Sequence, residues 1–277
     1  MIRLNDMEFQ YFVQFIGKQY GINLEKKRIL IECRLAKELE RYHLSDFGDY
    51  IRLLEQDKDG KIQGEMLNRL TTNYTYFARE PEHFKYIWNE ILPKWAKKNL
   101  SLPFRVWCAG CSTGEECYTL AMLFEDYRKQ VPAFSYSITG SDISGEVLDE
   151  AKRAVYSMRE YESVPENWRE NYCEIIDDKY FRLSPWLKEK VSYRRENLLK
   201  PSAGRQRYDL VMCRNVMIYF SQESRSKLLE YLEKSLNPGG YLMVGHSELI
   251  SGRETTMESV HTAVYRKACR REEDKNG

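Results

Sequence analysis

The chain has 277 residues, 42% of them hydrophobic and 31% charged, with 43 lysines and arginines against 42 aspartates and glutamates. That length allows one large domain or two smaller ones with a substantial core, and a net charge of +1 excludes any global electrostatic case for binding nucleic acid. No run approaches the ~18–20 apolar residues of a membrane span, the opening "MIRLNDMEFQ" lacks the apolar core of a signal peptide, and seven cysteines in a chain too large to need disulfide staples point to free thiols in a reducing cytoplasm.

Residues 1–70 read as a small helical bundle. Phe9, Phe12, Val13 and Ile16 keep the i, i+3, i+4, i+7 spacing of an amphipathic helix behind an Asn5/Asp6 cap. Ile31, Leu35 and Leu39 continue the pattern in a second helix. Ser45 is placed to cap a third, carrying Phe47, Tyr50, Ile51 and Leu54, and Met66, Leu67 and Leu70 suggest a fourth. On the second helix Lys27, Arg34, Lys37 and Arg41 form a basic stripe interrupted by Glu38. It reads either as a surface for an acidic partner or as an ordinary solvated face.

A hydroxyl-rich, aromatic connector, "TTNYTYFARE", spans the start of 71–90. Beyond it, strands and helices alternate, which implies a parallel sheet covered on both faces. "FRVWCAG", "FSYSITGSD", "YDLVMCRNV" and "GGYLMVGH" are the strands, "TAVYRKA" is a further one, and "NPGG" is a turn before a strand. Between about 158 and 196 short alternating segments replace this pattern and suggest a small β-insert within the domain 91–277. The tail "RREEDKNG" is charged and expected to fray.

The turn "CAGCSTGEE" is the first candidate site. Gly110 and Gly114 let backbone approach a ligand at a strand end. The spacing is neither G-x-G-x-x-G nor a P-loop, and Glu115 and Glu116 would repel a phosphate at the helix N-terminus. A cationic or hydroxyl-bearing ligand without phosphate fits better, and S-adenosylmethionine has both features. Asp142, ending the second strand, is suited to accept from ribose hydroxyls; the competing reading is a helix N-cap. Cys108, Cys111 and Cys117 lack a second ligand pair at zinc spacing, so small side chains around a tight turn are the simpler reading and no metal is expected.

Taken in order, "TTNYTYFARE", "CSTGEECYTLAM", "SDISGEVLDEAKRAVY", "ENLL", "YDLVMCRNVMIYF", "LNPGGYLMVGHSE" and "AVYRK" resemble the chemotaxis receptor methyltransferases, the CheR family. The resemblance spans nearly the whole chain. It implies an all-α N-terminal domain at 1–70 and a Rossmann-like S-adenosylmethionine-dependent methyltransferase sheet with a β-subdomain. The implied activity is methyl transfer to glutamates of chemoreceptor cytoplasmic helices, releasing S-adenosylhomocysteine. It implies cofactor contacts at Asn73, Thr75, Arg79, Glu116, Asp142, Asn197, Leu198, Asn215 and Val216. Arg79 and Tyr219 would stand at the reaction centre, and Lys27, Arg34, Lys37 and Arg41 would meet the receptor. A cytoplasmic monomer is expected, with no nucleic-acid partner and no membrane insertion. Local readings compete: Asn73 bonding its own backbone, Arg79 pairing with Glu80 or Glu82 on the surface, Asn197 capping a turn, Tyr219 in a core. His246 in "GHSE" reads as structural. The insert, lacking glycine between its strands, is not expected to dock a receptor peptide by strand addition. A methyltransferase of nucleic acid or small molecules, or a cofactor-binding signalling module, are the alternative functions.

Overall fold

The computed structural model describes residues 2–71, 74–200 and 206–269. Four helices make the N-terminal unit: α1 (Asp6–Tyr20), α2 (Arg28–Arg41), α3 (Phe47–Glu55) and α4 (Lys61–Leu70). Asn5 starts α1 with a capping box: its side chain accepts from the Glu8 N–H, and the Glu8 carboxylate accepts from the Asn5 N–H. Both donors would otherwise lack a partner at the helix start. Asp46, one residue beyond the expected Ser45, caps α3. Phe9, Phe12, Ile16, Ile31, Leu35, Leu39, Phe47, Tyr50 and Leu54 close on one another as a separate core.

The connector ends earlier than expected. A helix with three parts follows it: α5 (Pro81–Tyr86), a π-helical turn (Ile87–Ile91) and α6 (Leu92–Asn99). Pro81 sits at the first helical position, where its fixed φ is an asset and its missing N–H costs nothing. Phe84, Ile87, Ile91 and Leu92 bury against the sheet.

β1 (Phe104–Ala109), α7 (Glu115–Gln130), β2 (Tyr136–Asp142) and α8 (Gly145–Arg153) open the α/β domain. Next come β3 (Val155–Ser157), α9 (Met158–Tyr161), α10 (Glu166–Tyr172), β4 (Cys173–Ile175), β5 (Tyr180–Leu183) and α11 (Pro185–Lys188). The chain finishes with β6 (Val191–Arg195), β7 (Tyr208–Cys213), a 3-10 turn (Met217–Tyr219), α12 (Gln222–Ser235), β8 (Leu236–Val244), β9 (Glu258–His261) and β10 (Val264–Arg266). The main sheet runs β6-β2-β1-β7-β8-β10-β9. Its first five strands are parallel, and β10 and β9 are antiparallel additions. From β1 the order grows to β2 on one side and β7 on the other, so the topological switch point lies between β1 and β7.

The insert is smaller than the expected 158–196. β3, β5 and β4 form a separate antiparallel sheet, but Val191–Arg195 belongs to the main sheet, paired with β2 from Ile138↔Val191 to Asp142↔Arg195. A short alternating stretch reads the same in either sheet; its partner, distant in sequence, decides. Asn237–Gly240 also departs from the expected turn. It lies inside β8, where the ladder to β7 shifts register between Tyr208 and Leu210, a bulge that Gly239 permits at φ 77°. No described helix is long and apolar enough to cross a membrane.

Candidate active site

A cleft enclosing about 1050 Å³, partly open to solvent, lies beyond the carboxyl ends of β1, β2, β6 and β7, across the switch point. Thr75, Arg79, Glu116, Asp142, Asn197, Leu198, Asn215, Val216 and Tyr219 all line it. Asn73 lies outside the described residues. β1 delivers Gly110, Cys111 and Ser112 to the floor. Gly110 has φ 78°, and a Cβ there would stand 2.5 Å from Val216 Cγ2. Only glycine lets the β1 and β7 loops approach this closely. Cys108, Cys111 and Cys117 are free thiols buried around the same turn.

Asp142 accepts from the Ser112 N–H at 3.0 Å and from the Ser144 N–H at 3.1 Å. The cap of α8 is Ser144, whose hydroxyl oxygen accepts from the Val147 N–H, so the N-cap reading of Asp142 does not hold. Burial pushes the Asp142 carboxyl up, and the N–H groups of Ser144, Ser112 and Ile143 oppose that rise.

The adjacent glutamates part ways. Glu115 turns inward, 1% exposed, and takes a hydrogen bond of 2.8 Å from the Thr113 hydroxyl. Burial pushes its pKa up to about 8, so it is mostly protonated at neutral pH and adds little charge. Glu116 faces the cleft and pairs with Arg214 at 2.9 Å. Burial raises its pKa, and Arg214 pulls it back.

Arg214 is the residue that sequence reasoning passed over. It is buried at the end of β7 and lines the cleft. Besides Glu116 it reaches Glu80 at 3.2 Å and donates to the Arg79 carbonyl. One guanidinium thereby ties connector, helix and strand end together. Its signal was its place in "CRNV", beside two residues that were read. Glu248 is the second omission. Buried, it accepts from the N–H groups of Asn215 (2.6 Å), Ile218 (3.1 Å) and Gly245 (2.9 Å). These bonds hold Asn215 at φ 59°, a left-handed conformation that costs an L-residue roughly 1–2 kcal/mol.

Arg79 donates to the Tyr74 carbonyl at 2.9 Å, and its guanidinium lies over the Tyr76 ring. The surface pairing does not form: Glu80 goes to Arg214 and Glu82 to Lys85. Tyr219 is only partly buried, at the end of the 3-10 turn. The N-terminal unit completes the cleft with Tyr20 and Ile22. Ile22 bridges Phe220, the Asn23 N–H donates to the Tyr219 carbonyl at 2.8 Å, and the Ser221 N–H donates to the Gly21 carbonyl at 3.0 Å. Asn197 both accepts from the Leu199 N–H and donates to the Gln19 carbonyl, each at 3.0 Å.

The basic stripe is only partly a surface. Arg34 donates to the carbonyls of Arg69, Leu70 and Thr71 at 3.2, 2.8 and 3.0 Å, serving the C-terminal end of α4. Arg41 pairs with Glu65 and Glu38 at 3.1 and 3.5 Å. Glu38 is buried and also receives Arg69 at 2.8 Å, so it is an internal anchor and not a gap in the stripe. Lys27 and Lys37 remain exposed, as does Arg41 despite its ion pairs; of the four only Arg34 is drawn in.

Two family models match the chain: CheR methyltransferase, SAM binding domain, over residues 73–266, and CheR methyltransferase, all-alpha domain, over residues 7–71. The chain is 36% identical over 273 residues to the chemotaxis protein methyltransferase of Borreliella burgdorferi, covering 96% of each sequence. It is 34% identical over 269 residues to the chemotaxis protein methyltransferase of Escherichia coli, covering 95% of this chain and 92% of that one.

Proposed function

This chain belongs to the CheR methyltransferase family, and from that premise we propose that it methylates glutamate side chains on chemoreceptor cytoplasmic helices, using S-adenosylmethionine, as a cytoplasmic monomer. The observation that carries this reading is the single cleft at the switch point, which gathers residues from the N-terminal unit, the connector and four strand ends. The residues suit the cofactor. Gly110 lets the Val216 loop close onto the floor of the cleft. Asp142 keeps acceptor capacity beyond its bonds to backbone N–H groups, which suits ribose hydroxyls. Glu116 supplies the negative charge that an amino group and sulfonium want. Ile22, Leu198, Val216 and Phe220 give apolar walls.

When bound, the cofactor supplies a methyl group already activated by its sulfonium. The receptor glutamate, with a pKa of about 4.3, is ionised at neutral pH and needs no general base. The protein's task is therefore to align oxygen, methyl carbon and sulfur and to exclude water. Arg79, held by the Tyr74 carbonyl and the Tyr76 ring, orients the incoming carboxylate without the tight clamp that would damp its nucleophilicity. Tyr219, which lines the same cleft, is the second residue assigned to the reaction centre. Lys27 and Lys37 attract the acidic receptor helix.

The test is transfer of labelled methyl from S-adenosylmethionine to a receptor cytoplasmic fragment, with the product identified as a base-labile ester on glutamate. Arg79→Ala should lower transfer at least tenfold, about 1.4 kcal/mol, while Tm barely moves, because Arg79 lies in the connector and not in a core. Label on nucleic acid or small molecules instead of receptor would overturn the substrate assignment. Undiminished transfer by folded Arg79→Ala would overturn its role.

A further inference from the structure

Glu80, His83 and His246 converge behind the wall of the cleft, with one ligand atom from each within 4.8 Å of the others. We propose that they form a site for a borderline transition-metal ion of the zinc class, one that fastens the connector to the loop after β8. Three observations support it. First, His83 is 1% exposed, yet neither ring nitrogen has a hydrogen-bond partner among the described residues. A buried imidazole left with both nitrogens unsatisfied carries a substantial desolvation cost, and an ion would remove half of it. Second, the donor set is two imidazoles and a carboxylate, which suits zinc and cobalt. His83 Nδ1 lies 3.5 Å from Glu80 Oε2, the centroids of the two imidazole rings are 5.0 Å apart, and the backbone N–H of His246 donates to Glu80 Oε1 at 3.5 Å, bringing the two segments together. Bonds of 2.0–2.1 Å in tetrahedral geometry put donors about 3.3 Å apart. Exposed His246 is free to close that difference and gives the ion a path from solvent. Third, Arg214 pairs with Glu80 Oε2 at 3.2 Å, the outer support that ligating carboxylates commonly have. The same guanidinium repels a second cation, so affinity falls below that of a closed structural zinc site.

The three positions stand in "REPEH" and "GHSE", too far apart in sequence for ligand spacing to reveal them. An ion there would lock Glu80, and with it the neighbouring Arg79, against the sheet.

Purified protein, stripped with a chelator, is titrated with cobalt chloride and then zinc chloride. One equivalent of cobalt should produce visible ligand-field bands that zinc abolishes, and zinc should raise Tm. His246→Ala changes an exposed side chain and should leave the fold intact. It should weaken cobalt affinity by at least the roughly 10–100-fold that loss of an outer support costs a metal site, and Glu80→Gln should do the same. Absence of bands and of binding heat overturns the proposal. So does binding that survives His246→Ala, or intense sulfur-to-cobalt charge transfer, which would put the ion on exposed Cys33 or Cys269.

Discussion

Arg214 shows how much one side chain decides in this cleft. Glu116 is buried, and burial drives its pKa up; the guanidinium 2.9 Å away opposes that rise. Arg214→Leu should therefore raise the Glu116 pKa further. In the role proposed for Glu116 the ionised form attracts the cofactor's positive charge, so binding to the variant should be weak at neutral pH and recover as pH rises. We expect at least a tenfold loss at neutral pH, about 1.4 kcal/mol, and a midpoint at higher pH than in the wild type. Titration calorimetry with S-adenosylmethionine over a pH series checks this, with Arg214→Lys as a folded control that retains the charge. Superimposable pH curves would refute the electrostatic role. Asp142→Ala should weaken binding by about 1–3 kcal/mol, and an unchanged Kd would remove it from the site. Asp142 was legible because a strand-like run ends there, whereas Asn215 and Val216 followed only from the family resemblance of "CRNVMIYF". The Arg214–Glu80 contact was not legible, because its partners stand 134 positions apart and neither stretch alone hints at the other.

At the scale of an element, α2 shows what periodicity can and cannot say. Helical spacing correctly puts Ile31, Leu35 and Leu39 on one buried face. It also aligns four cations, but it cannot say what faces them. Arg34 serves the carbonyls ending α4, and Arg41 serves Glu65 and Glu38. Arg34→Glu should accordingly destabilise the N-terminal unit by about 1 kcal/mol, because partly buried carbonyls lose a donor. Lys27→Glu with Lys37→Glu should leave Tm within error but raise the Michaelis constant for receptor, with an effect that fades as salt screens exposed charges beyond ~8–10 Å. Denaturation midpoints and methylation rates across a salt series separate the two outcomes. Equal salt dependence in the double variant and the wild type would leave those lysines as solvated surface. β6 teaches the same lesson for strands: its alternation was visible, but its place beside β2 was not.

Across the whole molecule, the N-terminal helices and the sheet share the cleft. Gly21 makes their close approach possible. It sits at φ 71°, and a Cβ there would come 2.2 Å from Leu199 Cδ1 and 2.6 Å from Ser224 Oγ. Gly21→Ala adds left-handed strain of roughly 1–2 kcal/mol to that collision. It should weaken cofactor binding although no cofactor contact is altered, and calorimetric titration would show it; an unchanged Kd would mean the two units need not be seated to bind. The Ile22–Phe220 bridge carries a further consequence, one of melting behaviour. Each unit has its own core, so without ligand the two are free to lose structure in separate heat-absorption peaks. A small molecule gripped by both binds only when both are folded, and at a hundredfold excess over Kd it adds ~2.7 kcal/mol to that joint state alone. Saturating cofactor should fuse two peaks into one, making the methyl donor the mortar between two otherwise independent halves.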